Sequence, residues 1–383
     1  MVKAVRRGQS LRAVAQSFGV SVATVAYWVT RAEGQRLDRV DWSDRSRAPH
    51  RTRRTDATLE DRVLQARQQL AQGDLGAIGA DAIHAALAAQ GLPSVPSVRT
   101  INRILRRCGA LDGKTRTRRP PPPRGWYLPL VAAAKAELDS IDGVEGLVIR
   151  GGSHVEVLNC VSLHGGLVAS WPIGVPVTAE MTRQSLVEHW RDVGLPAYAQ
   201  FDNDTVFQGT HRYPDTLGRV IRTCLSLGVV PVFVPPHEMG FQAMIESYNG
   251  WWQTKVWTRF EHNDLRQLQE RSRKYVAAVR RQRADRIEAA PSRRQFPDDW
   301  KLNLRKRPQG HVIYIRRSNP NSEVFVLGRA WPLGMVWPNR LVRCEVDLNR
   351  DKICFFPLRR KDPTYQPMVL EVDYRLPSRG FDD

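Results

Sequence analysis

An acidic block set inside a strongly basic chain is the feature that most limits what this sequence can form. Residues 137–250 hold 13 Asp/Glu against 6 Lys/Arg, a net charge of −7. Three basic stretches flank it. Residues 1–55 carry 12 Lys/Arg and 4 Asp/Glu, residues 99–124 carry 9 and 1, and residues 271–307 carry 13 and 4. The formal net charge over 383 residues is +19. Basic blocks attract a polyanion, because neutralising phosphate releases counterions. Carboxylates would repel the same polyanion unless a cation bridged them. The acidic block therefore reads as a domain with its own chemistry, carried between nucleic-acid-binding parts.

Composition excludes several other classes. Hydrophobic residues make up 42% and charged residues 25%, so wholesale disorder, collagen and coiled coil are ruled out. No apolar run approaches the ~20 residues that span a bilayer, and Met1–Ser10 lacks the apolar stretch of a signal peptide. The five cysteines are odd in number and widely spread, with no CxxC pair. They read as reduced thiols, not as a disulfide framework or a zinc ribbon.

Along the chain, Leu11, Val14, Ala15 and Phe18 follow helical spacing, Gly19 breaks the helix, and Ser21 caps a second helix carrying Val22, Val25, Trp28 and Val29. This is a helix-turn-helix pattern, and it leaves Ser21, Thr24, Tyr27 and Arg31 to face DNA. A second helical unit follows, with helices at Leu59–Leu70, Ala80–Gln90 and after Ser97. The last of these puts Val98, Ile101, Ile104 and Leu105 inside and Arg99, Asn102, Arg103 and Arg106 outside. The run Pro120–Pro123, flanked by Arg116, Arg118, Arg119 and Arg124, favours a stiff extended linker able to track phosphate. The acidic block then alternates strands (Val155–Leu163, Leu167–Ile173, Tyr198–Phe201, Val229–Val234) with helices (Thr178–Val193, Leu217–Leu227, Gly240–Trp257). That pattern predicts a mixed sheet covered by helices. A basic helical stretch spans 261–290, and short strands between 309 and 372 predict a small barrel.

Three carboxylates sit at element ends in the acidic block: Asp139 on the first strand, Asp202 just after Tyr198–Phe201, and Glu246 on the last helix. Asp142 competes with Asp139 for the first position. Converged carboxylates cannot all remain ionised without cations. Hard oxygen donors suit Mg²⁺, and two such ions, with Mn²⁺ as a substitute, serve phosphoryl transfer.

The segments Phe201-Asp202-Asn203-Asp204-Thr205-Val206-Phe207 and Ile245-Glu246-Ser247-Tyr248-Asn249, with Leu138-Asp139 before them, resemble the DDE transposases of the retroviral-integrase superfamily. The closest resemblance is to bacterial insertion-sequence transposases with an integrase core. It implies Asp139, Asp202 and Glu246 as catalytic and metal-binding residues, with Asn203 and Asn249 in support. The sequence departs from the family pattern in four places, one being that the tryptophan or histidine often found before the first aspartate is absent. Asp204 stands where a glycine is usual, Gln242-Ala243 replaces Asn-Gly, and 43 residues separate Asp202 from Glu246. A loop at Gln208–Pro214 would absorb the extra length, and His237 would lie near the active-site loop.

The implied order is a helix-turn-helix domain (1–37), a basic linker (38–56) and a second, winged-helix-like unit (57–113). A Pro/Arg-rich linker (114–130) then leads to a ribonuclease-H-like mixed α/β catalytic core (131–260). A basic helical linker (261–307), a small β-barrel (308–375) and a tail (376–383) complete it. The implied activity is cleavage at transposon ends and joining of the freed 3′-OH to target DNA. The protein is then expected in the bacterial cytoplasm, on the nucleoid, as a dimer or tetramer on DNA, with accessory proteins left open. The alternative is a domesticated, catalytically inactive relative that binds DNA sequence-specifically.

Overall fold

Two units fold around separate cores, Met1–Ala57 and Thr58–Asp383. The structure, a computed structural model, describes residues 1–44, 55–92, 94–111, 124–210, 214–236, 238 and 240–377. Arg116, Arg118, Arg119, the tetraproline run and His237 lie outside the described residues.

The first unit holds α1 (Val2–Arg6), α2 (Leu11–Phe18) and α3 (Val22–Arg31). Helices α2 and α3 are bent by 112° at their break, where Gly19 adopts φ 63°, a left-handed conformation that costs glycine little. Ser10 and Ser21 accept from the N–H groups of Ala13 (3.2 Å) and Thr24 (3.1 Å) and so cap α2 and α3. Val14, Ala15 and Val25 are the buried centre. Val22, expected inside, is 42% exposed.

The second unit opens with α4 (Ala57–Gln72), α5 (Ala80–Ala89) and α6 (Val98–Arg107) around Val63, Ile83, Leu87, Ile101, Ile104 and Leu105. Ser97 caps α6 as expected, accepting from Thr100 N at 3.3 Å. Among the described residues this part has no strand, so the winged-helix expectation reduces to three helices.

Trp126, Tyr127 and Leu128, read above as linker, are buried in the core just before α7 (Pro129–Ala132). The core sheet is built from β1 (Leu138–Val148), β2 (His154–Ser162) and β3 (Val168–Ile173), all antiparallel neighbours. After α8 (Ala179–Val193), β4 (Tyr198–Phe201) pairs parallel with β1. After α9 (Thr205–Gln208) and α10 (Arg219–Ser226), β5 (Val230–Phe233) pairs parallel with β4. Then comes α11 (Ala243–Trp252), continued by a π-helical turn over Gln253–Trp257. This mixed sheet with helices is consistent with a ribonuclease-H-like core.

Helix α12 (Leu265–Gln282) packs against the β3 edge of the sheet, and α13 (Ala284–Glu288) follows it beside the turn between β2 and β3. Their basic side chains are largely engaged by the protein's own carbonyls. Arg280 donates to Val168 O (2.9 Å), Arg283 to Gly166 O (2.7 Å), and Arg286 to His164 O (2.6 Å) and Leu163 O (2.9 Å). An edge strand presents unpaired carbonyls; Arg280 covers one on β3, and Arg283 and Arg286 cover carbonyls of the turn between β2 and β3.

The strands expected as a separate small barrel instead extend the core sheet. β6 (His311–Arg317) pairs parallel with β5. β9 (Leu341–Asp347), β10 (Lys352–Pro357) and β11 (Leu370–Asp373) follow antiparallel, while β7 (Glu323–Val326) and β8 (Arg329–Pro332) form a separate hairpin. The sheet order is β11-β10-β9-β6-β5-β4-β1-β2-β3. Phe201, Phe233 and Tyr314 stack in a row from β4 to β6, with ring centroids 5.9 and 5.2 Å apart. One apolar core therefore crosses the expected domain boundary. Short alternating strands look the same in either arrangement, which is why the pattern did not separate them. The expected tail also starts later, since Leu376 is buried against this core.

All five cysteines are unpaired, as expected. No single helix among the described residues is long and apolar enough to cross a membrane.

Candidate active site

Strand β1 carries both contenders for the first carboxylate, and the period-2 alternation of a strand sends residues three apart to opposite faces. Asp139 turns towards α8 and is fully buried. Its carboxylate forms a salt bridge with Arg293 and accepts from the Trp190 indole N–H at 3.0 Å. Burial pushes the Asp139 carboxyl up, with Arg293 and Trp190 pulling against that rise. Asp142 turns towards α11. Its Oδ2 accepts from Asn249 Nδ2 at 2.8 Å, and Asn249 Oδ1 accepts from Asn159 Nδ2 at 2.8 Å. Asn159 is the cross-strand partner of Asp142 on β2.

The negative charges of Asp202 and Glu246 act on Asp142 and not on Asp139, although the oxygens of Asp142, Asp202 and Glu246 do not all lie within 4.8 Å of one another. The Asp142 carboxyl is pushed up to about 6, first by burial, then by the negative charge of Asp202, with Glu246 adding to it. The Asp202 carboxyl is raised by burial and by Asp204, and the Asp204 N–H, 2.9 Å from Asp202 Oδ1, opposes this. Glu246 is exposed on the first turn of α11. Among the described residues no lysine or arginine pairs with any of these three carboxylates. Asp139, expected as the first ligand with Asp142 as its competitor, faces the half-buried Arg293 guanidinium, whereas Asp142 lies on the side where the charges of Asp202 and Glu246 act. Arg293 follows Asp139 by 154 residues in the chain, so no local sequence signal links them.

The supporting residues have defined work. Asn203 Nδ2 donates to Val234 O (2.7 Å) and its Oδ1 accepts from Gln208 Nε2 (3.1 Å), fixing the end of β4 to the end of β5. Asp204, where a glycine is usual, has φ −61° and caps α9 by accepting from Val206 N at 2.8 Å. A capping aspartate does there what backbone freedom would do with glycine. Gln242 precedes α11, and its Nε2 is buried with no hydrogen-bond partner. Residues 211–213 of the expected loop insertion lie outside the described residues. The loop's two ends meet at Gly209 and Gly218, where a Cβ on either would come within 2.9 Å of the other's backbone.

A second cluster, Asp139, Cys160 and His189, brings its ligand atoms within 4.8 Å of one another. It is a poor metal site. Arg293 occupies Asp139, and the Arg280 guanidinium lies 3.4 Å from His189 Nδ1. Burial and both arginines drive the His189 pKa well down, and burial drives the Cys160 thiol well up. A cation there would meet two guanidiniums.

Among the expected DNA contacts, Arg99, Asn102, Arg103 and Arg106 are exposed on one side of α6. On α3, Ser21 and Tyr27 are exposed and Thr24 is half-buried beside its cap. Arg31 is not free: its side chain is 7% exposed, stacks on Trp28 at 5.0 Å and reaches Asp41 at 3.4 Å.

No protein-family model matches the chain, and no curated protein matches it. Among solved structures it is similar to the intasome of simian T-cell lymphotropic virus in complex with the PP2A regulatory subunit B56 gamma. That likeness has 13% identity and a TM-score of 0.35, over 77% of this chain and 96% of that one. It is also similar to the catalytic core domain of BIV integrase, with 15% identity and a TM-score of 0.27, over 37% of this chain and 82% of that one. Neither likeness is high enough to carry an argument about activity, which rests on the site itself.

Proposed function

We propose that this chain is a DNA transposase of the DDE type. In this reading Asp142, Asp202 and Glu246 hold two Mg²⁺ ions, and Asp139 is a structural anchor. The observation that supports it is that the charges of Asp202, at a strand end, and Glu246, on a helix, both act on Asp142 on the first strand, with no basic partner of the three among the described residues. Carboxylate oxygens are the hard donors that a divalent cation such as Mg²⁺ takes. When bound, Mg²⁺ supplies the charge that activates an attacking hydroxyl and steadies the leaving oxygen.

The chain's own residues hold the geometry. Asn249 orients Asp142 from the same helix that presents Glu246. Asn203 and the Asp204 N–H fix the backbone and carboxylate of Asp202. Water is the first nucleophile, at the transposon end, and the freed 3′-OH is the second, at a target phosphodiester. The exposed face of α6 and the outer face of α3 bind end DNA, and two copies or more pair the two ends.

The test is a strand-transfer assay using oligonucleotides copied from the DNA flanking the gene, a plasmid target, and Mg²⁺, Mn²⁺ or EDTA. Joined products are expected with either metal, none in EDTA, and none from Asp202→Asn, which still binds the ends. Joining by Asp202→Asn at the wild-type rate would overturn the assignment. Salt-sensitive binding without joining, even from pre-cleaved 3′ ends, would favour the non-catalytic DNA-binding alternative.

A further inference from the structure

We infer that the cavity between the end of β4 and the β7–β8 hairpin is a subsite for one unpaired nucleotide of the reacting DNA strand. Its phosphate would rest on Arg316 and its base on Phe325. The inference rests on the strand-transfer reading above, because the cavity begins at Asn203, the residue after Asp202. It measures about 310 Å³, and its walls include Asn203, Gln208, Pro236, Tyr314, Arg316 and Phe325. That is at the small end of ligand pockets, with room for a single nucleotide and not for duplex.

Two side chains give the cavity its chemistry. The Arg316 guanidinium lies over the Tyr314 ring at 5.0 Å. It donates to Ile315 O (2.9 Å) and Val234 O (3.3 Å), and Val234 O is also the carbonyl that holds Asn203. Burial lowers its pKa, and among the described residues no carboxylate pairs with it. A desolvated cation without a counter-charge is costly and favours an anion, and a phosphate matches the donor fork of arginine. Phe325 is 57% exposed, whereas Val324 and Val326 on either side of it are buried. Strand alternation therefore anchors the hairpin by its inner face and leaves one aromatic ring at the cavity. Bases stack on such rings with little regard to sequence.

The hairpin is held in place. Asp215 accepts from Arg329 Nε at 3.1 Å and from Tyr374 Oη at 3.0 Å, and its N–H donates to Leu327 O at 3.0 Å. The cation and the ring are thus positioned before any strand arrives. A cation beyond the repelling carboxylates gives the strand's next phosphate a place to sit.

The experiment uses the full chain in EDTA, so that nothing reacts, and a short thymidine oligonucleotide carrying one 2-aminopurine. Binding is expected to change the 2-aminopurine emission. Phe325→Ala should weaken binding about tenfold, within the range measured for base–aromatic stacking, while Phe325→Trp retains it. Arg316→Gln should weaken binding and reduce the salt slope by about 0.7, the value of one single-strand phosphate, while Arg316→Lys keeps the slope. Phe325 is exposed, so its variants fold, and an unchanged melting temperature checks this. Wild-type affinity and emission in Phe325→Ala overturns the subsite. So does displacement of the probe by free dAMP at the probe's own dissociation constant, which would make this a free-nucleotide site. Strand joining by the wild type with unaltered probe binding in the variants overturns the subsite and leaves the proposed function standing. Weakened binding in both variants, with no joining by any protein, sustains the subsite and overturns the strand-transfer reading instead.

Discussion

Two Asp→Asn substitutions three residues apart on β1 should differ in stability and in their response to Mg²⁺. Asp142 is ionised at neutral pH only against burial and the charges of Asp202 and Glu246, so its carboxyl lies at about 6, against a usual 3.8. At roughly 1.4 kcal/mol per pH unit, that gap costs the metal-free fold about 3 kcal/mol once the group is fully ionised. The sign follows from linkage: the folded state binds the extra proton, so stability falls as pH rises from about 4 to about 6 and stays lower above. Asp142→Asn removes that cost while leaving an oxygen to accept from Asn249. At pH 8 in EDTA it should raise the melting temperature by about 5 °C, at roughly 2 °C per kcal/mol for a unit of this size. At pH 4 the gain should vanish. Asp139→Asn also removes a carboxylate that burial makes costly to ionise, but it leaves the half-buried Arg293 guanidinium without its partner, so its gain should be smaller or reversed. Scanning calorimetry at pH 4 and pH 8, with and without Mg²⁺, reads both effects. Mg²⁺ should stabilise the wild type and Asp139→Asn but not Asp142→Asn. Destabilisation by both substitutions, or equal Mg²⁺ stabilisation of Asp142→Asn and wild type, would refute the assignment of roles.

Further outcomes follow from the same geometry. Asn249→Ala leaves Asp142 and Asn159 without their shared partner; it should cost about 1–3 kcal/mol of stability and slow joining more than it weakens end binding, as single-turnover rates and gel shifts would show. Joining at limiting Mg²⁺ should decline as pH falls through about 6, where Asp142 takes up a proton, and raising Mg²⁺ should move that midpoint lower; a midpoint indifferent to Mg²⁺ would count against Asp142 as a ligand. Arg103→Ala on the exposed side of α6 should reduce the salt slope of duplex end binding by about 0.9, the value of one phosphate contact, whereas Arg31→Ala should lower the melting temperature of the first unit instead.

Much of this was legible in the sequence. The caps Ser21 and Ser97, the β2 and β3 strands, α8 beginning after Thr178 and β4 ending at Phe201 were all set by local residue choice, and local rules found them. The places of Asp202 after β4 and of Glu246 on the first turn of α11 were legible because each sits at an element boundary set by its own short segment. What failed needed contacts between distant parts. The barrel expectation failed because the edge of β5 accepts β6, a pairing that no strand's own pattern announces. The basic stretch 271–307 looked like a DNA surface by charge count, yet Arg280, Arg283 and Arg286 cover carbonyls of β3 and of the turn before it, and Arg293 pairs with Asp139. Charge counted along a chain does not distinguish a solvated guanidinium from one already bound.

The placement of the second helical unit ties it mechanically to the helix that carries Glu246. Lys255 Nζ donates to Gly76 O at 2.7 Å, and Arg259 donates to Gly73 O at 2.9 Å and Ala71 O at 2.6 Å. These carbonyls lie at the end of α4 and just beyond it, where a helix leaves its acceptors unsatisfied and its dipole favours cations. Lys255 belongs to the π-helical turn that continues α11, the helix carrying Glu246 and Asn249. The unit presenting Arg99, Asn102, Arg103 and Arg106 is therefore fastened to the element that completes the carboxylate set. Lys255→Ala with Arg259→Ala should loosen that attachment while leaving both cores intact. The expected result is end binding close to wild type with slower joining, read by comparing gel-shift affinity with single-turnover rate. Equal losses in both would mean that the contact only stabilises the fold, and no loss in either would mean that the two parts act independently.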